Sequence, residues 1–211
     1  MSRTSVSPVA ATTRSGPPRT RRWRLVDIVV ASVVGVALGV VFWAWAVPYS
    51  AAEGPLKVLL PGVQAFASGI WLVGGVLGGL LIRKPGAALY VELLAALVSA
   101  LLGSQWGLSV LVSGLAQGLG AEIVFALVLY RVWRLPVAWL AGAGAGVGLA
   151  LNDLLTWYAG SSAAFATVYA VSAVLGGAVI AGTLSWLAAR GLAATGALSR
   201  FAAGRETGEL V

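Results

Sequence analysis

The chain has 211 residues, of which 59% are hydrophobic and only 10% are charged, and it carries 28 glycines and a net charge of +7. Soluble domains carry about a quarter charged residues, so this composition excludes a water-covered globular domain and is typical of closely packed membrane helices. Neither cysteine nor histidine is present. Their absence excludes disulfides, serine–histidine hydrolysis and histidine-based metal sites.

The N-terminal residues 1–24 are rich in Ser, Thr, Pro and Arg, which predicts a disordered, basic cytoplasmic tail. The next residues, Leu25–Val47, form an apolar run. A cleaved signal peptide is the alternative interpretation, because Ala44-Trp45-Ala46 is similar to a signal-peptidase site. The run is longer than the hydrophobic region of a signal peptide, so we expect a retained membrane helix.

Five further apolar segments follow, separated by polar or helix-ending residues. They are Val63–Ile82, Gly86–Leu102, Leu108–Tyr130, Leu135–Tyr158 and Ala163–Ala189. Residues Pro48–Pro61 are predicted to form the first loop. The sequence therefore predicts an all-α integral membrane protein, with six transmembrane helices in a membrane domain at residues 25–190 and a cytoplasmic tail at residues 191–211.

Positive charge is distributed unevenly along this predicted topology. Of the 14 Lys and Arg residues, all except Lys57 lie in the N-terminal tail, the second–third loop, the fourth–fifth loop or the C-terminal end. The positive-inside rule then predicts that both termini are cytoplasmic, in the plasma membrane. Anionic lipid headgroups explain the net charge on this topology, and we expect no nucleic-acid partner.

Three acidic residues within the apolar segments are candidate binding residues, because ionisable groups are costly in a membrane. Glu92 either contacts a substrate or has a structural partner in Arg83, Lys84 or a backbone group. For Glu122 and Asp153 we expect binding from the outer side, with helix bracing or capping as the alternative. Tryptophans near span ends also serve as interfacial anchors.

Aromatic and amide side chains near the predicted outer ends of the helices complete the candidate site, because they can stack on or hydrogen-bond a flat polar ligand. They are Trp43, Tyr49, Gln105, Trp106, Gln117, Asn152, Trp157 and Tyr158. The inner half offers only Glu92 and Trp71, so we predict an outward-facing pocket.

The small residues Ala31, Gly35 and Gly39 recur at four-residue spacing and predict a closely packed seam, either inside the bundle or against a partner. No phosphate-binding Gly-Lys-Ser/Thr loop is present, since Lys57 follows Leu56 and Lys84 follows Arg83. If transport by this chain is driven by ATP, the ATPase must be another chain.

Several longer stretches carry a family resemblance. They are Trp23-Arg24-Leu25-Val26-Asp27-Ile28-Val29, Ile82-Arg83-Lys84-Pro85-Gly86-Ala87-Ala88, Gly103-Ser104-Gln105-Trp106-Gly107, and Gln117-Gly118-Leu119-Gly120-Ala121-Glu122 followed by Tyr130-Arg131. With these stretches in order, the chain from about Arg22 to Glu206 resembles the substrate-binding S components of energy-coupling-factor (ECF) vitamin transporters, of the YkoE-like thiamine/hydroxymethylpyrimidine type.

The resemblance implies a six-helix membrane protein that captures a vitamin from outside and works with a transmembrane coupling subunit and two cytoplasmic ATPase subunits. It also implies that the seam of Ala31, Gly35 and Gly39 meets the coupling subunit. We expect no enzymatic activity, no cofactor and no metal site. Two alternatives stay open: a proton-coupled secondary transporter that uses Glu92, Glu122 and Asp153 as a relay, and a membrane scaffold without transport activity.

Overall fold

The computed structural model describes residues 22–195, and within that range the chain is helical with short connections and no β-strand. The α-helices are α1 (Leu25–Leu59), α2 (Val73–Ile82), α3 (Ala87–Leu101), α4 (Val110–Leu127), α5 (Leu135–Thr156), α6 (Ala163–Gly176) and α7 (Thr183–Ala194). A 3₁₀-helix (Val63–Leu72) leads into α2, another (Gly107–Ser109) precedes α4, and a π-helix (Gly177–Gly182) joins α6 to α7.

These helices confirm the all-α membrane fold. Five helical stretches in the described range are long and apolar enough to cross a membrane, and α3 is a shorter apolar helix of 15 residues. The final stretch continues to Ala194, beyond the predicted end of the membrane domain at residue 190. The predicted tails lie largely outside the described residues.

The first helix is longer than the sequence predicts. The loop predicted at Pro48–Pro61 is wrong, because α1 continues through both Pro48 and Pro55 to Leu59. Its 35 residues span about 52 Å, well beyond a hydrocarbon core of about 30 Å. Proline is tolerated inside membrane helices where neighbouring groups compensate for the lost hydrogen bond. The last turns of α1 therefore project past the membrane core.

The seam of Ala31, Gly35 and Gly39 is packed inside the chain. All three residues are buried. A Cβ atom added to Gly35 would lie 2.9 Å from the Leu94 side chain, and one added to Gly39 would lie 2.5 Å from Val98 Cβ, both on α3. The structure corrects the prediction that this seam meets a coupling subunit, because α3 already occupies it.

Glycines bring α5 close to α4 on one side and to the π-helix on the other. A Cβ atom on Gly142 would collide with the backbone carbonyl of Gly177, and one on Gly144 would lie 2.5 Å from the carbonyl oxygen of Gly120. Such backbone approaches are possible only without side chains, so these glycines set the spacing of three helices.

A buried ion pair fixes the end of the bundle where α1 begins. Asp27 is 1% exposed and accepts hydrogen bonds from the Arg24 backbone nitrogen at 2.7 Å and from Arg24 Nη2 at 3.2 Å. Lys84 Nζ, in the connection between α2 and α3, donates to the same carboxylate and also to the carbonyl of Arg22 at 2.7 Å. These contacts tie the start of α1 to the second connection.

Candidate substrate-binding site

A cavity of about 350 Å³ lies towards the end of the bundle opposite the start of α1. It is lined by the outer part of α1, the 3₁₀-helix Val63–Leu72, α3, the connection between α3 and α4, α4, α5 and α6. Its aromatic side chains are Phe42, Tyr49, Trp71, Trp106, Trp157, Tyr158 and Tyr169. Its polar side chains are Glu53, Ser68, Glu92, Ser99, Ser104, Ser109, Ser113, Gln117 and Asp153.

One wall of the cavity is an aromatic cluster of Tyr49, Trp71 and Trp106. The Trp71 ring centroid lies 4.7 Å from that of Tyr49 and 5.1 Å from that of Trp106, both in edge-to-face arrangements. Trp71 Nε1 donates to the Phe42 carbonyl at 3.0 Å, which fixes the indole against α1. Edge-to-face pairs are the favoured geometry for aromatic rings, so this wall is a preformed surface for a flat ligand.

Glu92 provides the deepest polar group of the cavity. It is 1% exposed, and its Oε2 accepts a hydrogen bond from the backbone nitrogen of Gly75 at 2.5 Å. Gly75 is the third residue of α2, so the carboxylate is held at a helix N-terminus, where a negative charge is stabilised. The other oxygen, Oε1, has no hydrogen-bond partner among residues 22–195. A buried acceptor without a partner is costly, and a ligand donor would satisfy it.

Asp153 is a second carboxylate of the cavity lining, and two neighbours hold it in position. Its Oδ2 accepts from the Tyr169 hydroxyl at 2.5 Å, and its Oδ1 accepts from Asn152 Nδ2 at 2.9 Å. The same Asn152 nitrogen donates to Ser113 Oγ at 2.9 Å, which connects α5 to α4. The carboxylate is therefore oriented by a network before any ligand arrives.

The structure brings together most of the residues that the sequence identifies as candidates. Those that line the cavity are Tyr49, Glu92, Trp106, Gln117, Asp153, Trp157 and Tyr158. Asn152 does not line the cavity, but it donates a hydrogen bond to Asp153, which does. Gln105 bonds the Ser50 side chain outside the cavity lining, and Trp43 is 44% exposed on the outer surface of α1.

Glu122 does not line this cavity. Its Oε1 accepts from the Gly86 backbone nitrogen at 2.7 Å and from the Tyr130 hydroxyl at 2.6 Å, and its Oε2 accepts from the Ala88 backbone nitrogen at 2.9 Å. Gly86 and Ala88 lie at the start of α3, so Glu122 caps that helix. The expectation that Glu122 contacts a ligand from the outer side does not fit this geometry, and capping, the alternative, does.

Other cavity residues were not anticipated from the sequence. The sequence predicts Trp71 in the inner half, but the structure places it in the aromatic wall. The sequence predicts Glu53 in a loop, but the continued α1 carries it to the cavity. Tyr169 and the serines gave no sequence signal, since a tyrosine or serine in an apolar segment has many packing roles.

Comparisons with known proteins agree with this architecture. Residues 26–148, more than half of the chain, match the family model described as "ABC-type cobalt transport system, permease component". A Bacillus subtilis (strain 168) protein, YkoE, named as a candidate HMP/thiamine permease protein, is 36% identical over 189 residues, which are 88% of this chain and 92% of that protein.

The fold is also similar to a solved structure, described as an S-component of an ECF transporter. The TM-score is 0.81 at 35% identity, over 89% of this chain and 94% of the solved one. By sequence and by fold, this chain belongs to the permease family described by that model and, within it, to the YkoE-like S components of ECF transporters, which are multi-pass cell-membrane transport subunits and not enzymes.

Proposed function

We propose that this S component binds thiamine or its precursor hydroxymethylpyrimidine (HMP) in the cavity, and delivers it through an ATP-driven ECF importer. The observation that carries the proposal is that Glu92, whose Oε1 has no hydrogen-bond partner among residues 22–195, lines an aromatic-walled cavity. The pyrimidine ring is flat, with an exocyclic amine and ring nitrogens. It needs an aromatic face, an acceptor for the amine and donors for the nitrogens.

The cavity supplies each of these groups. Trp71 and Trp106 offer ring faces and edges for the pyrimidine. Glu92 Oε1 accepts from the exocyclic amine, and Gln117 donates to a ring nitrogen. Asp153 and the surrounding aromatic rings favour a cation such as the thiazolium of thiamine.

The direction of capture follows from charge. The cavity lies at the end of the bundle opposite the start of α1 and the basic connections that contain Arg83 with Lys84 and Arg131 with Arg134. The positive-inside rule assigns that basic end to the cytoplasm. In the proposed orientation the cavity therefore opens to the exterior. This assignment is supported by the sequence distribution of Lys and Arg, which leaves only Lys57 near the cavity end.

The energy for uptake comes, in this proposal, from a coupling subunit and two ATPase subunits, because this chain contains no phosphate-binding loop. The seam of Ala31, Gly35 and Gly39 is covered by α3. The coupling subunit must therefore use another, lipid-facing surface.

Cobalt, named in the description of the matched family model, fits this chain less well as the transported solute. The sequence contains no His or Cys, which are the nitrogen and sulfur ligands that transition metals prefer. In the described residues no group of three or more His, Cys, Asp or Glu residues is placed to hold a metal ion. An organic hydrogen-bond donor matches the cavity better.

Calorimetric titration of the purified protein with thiamine, HMP and Co²⁺ tests the proposal. We expect thiamine or HMP to bind and Co²⁺ not to bind. Trp71→Leu should weaken binding about tenfold because it removes a cavity ring, whereas Trp43→Leu, on the exposed face of α1, should leave affinity unchanged. If neither organic compound binds the parent protein, the proposed ligand class is wrong.

A further inference from the structure

The charged groups of the cavity are all of one sign. Its lining contains Glu53, Glu92 and Asp153, and among the described residues it includes no Lys or Arg. A cleft lined by one sign of charge, with low-dielectric walls, concentrates its field on whatever enters. Cationic and neutral hydrogen-bond donors are favoured in such a cavity, and anions are repelled.

Glu53 holds a distinct position among these three acids. Tyr49, Glu53 and Lys57 recur every four residues, so they lie along one face of α1 and lead outward from the aromatic wall. Tyr49 is 5% exposed, the Glu53 side chain is 31% exposed and the Lys57 side chain is 42% exposed. Glu53 therefore stands at the mouth of the cavity, where the projecting part of α1 begins to meet water.

Lys57 forms an ion pair with Glu53 and partly neutralises its charge, but it does not make the mouth of the cavity positive. Lys57 Nζ lies 2.8 Å from Glu53 Oε1, one helical turn further out, and it is not part of the cavity lining. Glu53 and Lys57 together are neutral, so the remaining acids of the lining, Glu92 and Asp153, leave the cavity with a net negative charge. A phosphate group held at the mouth would therefore lie beside the Glu53 carboxylate, in a cavity whose lining is acidic.

We propose that Glu53 is a specificity-determining residue that discriminates against phosphorylated forms of the vitamin. This inference rests on the proposed function, since thiamine and HMP both also exist as phosphate esters. In the proposed pose the flat ring lies against Trp71, the amine bonds Glu92, and the substituent on the adjacent ring carbon lies on the Glu53 side of the cavity. A hydroxymethyl group or a thiazolium is accepted there, and a phosphate is repelled.

The test compares the parent protein with Glu53→Gln and Lys57→Gln, using four probes: HMP, HMP phosphate, thiamine and thiamine monophosphate. The measured quantity is the ratio of the dissociation constants of each ester and its unphosphorylated form. The parent should bind each ester at least about tenfold more weakly. Glu53→Gln should lower the ratio about 3- to 10-fold, as expected for a partly exposed charge, and Lys57→Gln should raise it.

The two variants distinguish charge from structure, because both break the same ion pair. A purely structural effect of losing the pair would move both ratios in the same direction, and opposite directions are expected here. HMP carries no charge, so the parent and Lys57→Gln, whose residue lies outside the cavity lining, should bind it equally, within about twofold. Two results would overturn the inference about Glu53 and leave the proposed function standing. One is that the esters bind as tightly as the unphosphorylated compounds, and the other is that the Glu53→Gln ratio equals that of the parent. Absence of binding of all four compounds to the parent would overturn the proposed function together with it.

Discussion

The two glutamates Glu92 and Glu122 allow the proposed site to be separated from structural bracing. Both are acidic residues in apolar helices, and both accept backbone hydrogen bonds at the start of another helix. Only Glu92 lines the cavity, and only Glu92 has an oxygen without a partner among residues 22–195. The same Glu→Gln substitution should therefore have opposite consequences at the two positions.

At Glu92 the substitution should reduce affinity and preserve the fold. The glutamine oxygen can still accept from the Gly75 nitrogen, but the amide nitrogen then faces the ligand amine, so two donors meet. The lost charge-assisted bond is worth about 1.5–3 kcal/mol, or about 10- to 100-fold in the dissociation constant. Removing a buried carboxylate with an unpartnered oxygen should leave thermal stability unchanged or raise it.

At Glu122 the substitution should reduce stability and preserve affinity. A glutamine has one acceptor oxygen, whereas Glu122 uses both oxygens to satisfy the Gly86 and Ala88 nitrogens at the start of α3. One of these nitrogens would be left without its acceptor, at a cost of about 1–3 kcal/mol. Because Glu122 lies outside the cavity, the surviving folded protein should bind as the parent does.

The assay is calorimetric titration of HMP and thiamine into both purified variants and the parent, with thermal unfolding measured on the same samples. Unchanged affinity in Glu92→Gln would refute the assignment of its free oxygen to the ligand. A large affinity loss in Glu122→Gln with stability preserved would refute the division into a binding glutamate and a capping glutamate.

Four further predictions follow from the structure and the proposed function. Asp153→Asn should weaken thiamine binding about tenfold more than HMP binding in a paired titration, since only thiamine carries a cation. Gly142→Ala should lower the unfolding temperature sharply because its Cβ meets a backbone carbonyl, whereas Gly191→Ala, with open space around it, should be neutral or stabilising by about 0.5–1 kcal/mol. Reporter fusions after Arg83 should be cytoplasmic and those after Ser161 external; the reverse result would contradict the orientation. Radiolabelled vitamin uptake should be negligible with this chain alone and appear on co-expression of coupling and ATPase subunits, whereas uptake by the chain alone under a pH gradient would favour a proton-coupled transporter.

The sequence by itself determines the class of this protein. Six apolar segments with few charges can be stable only as membrane helices, because each helix satisfies its own backbone hydrogen bonds. The absence of His and Cys excludes disulfides, serine–histidine hydrolysis and histidine-based metal sites, and the absence of a phosphate-binding loop excludes an ATPase of that type. The motif stretches around Arg83, Trp106 and Gln117 predicted the S-component family, which the comparisons confirm.

Local sequence rules fail where neighbouring elements override them. Proline ordinarily ends a helix, yet α1 passes through Pro48 and Pro55 and carries Glu53 to the cavity. The sequence predicts Trp71 in the inner half, but it is the ninth residue of the 3₁₀-helix Val63–Leu72 and lines the cavity. A 3₁₀-helix has about three residues per turn, so it points the side chain in a direction that an α-helical period does not give.

Only the tertiary structure decides which acidic residue faces the cavity. Glu92, Glu122 and Asp153 are equivalent in a sequence, since each is an acid in an apolar segment. Their roles depend on which backbone nitrogens and hydroxyls come within hydrogen-bond distance. For the two glutamates, the bonds from backbone nitrogens join residues 17 to 36 positions apart. The same is true of the seam at Gly35, since a small-residue pattern predicts close packing but does not identify its partner, which here is α3.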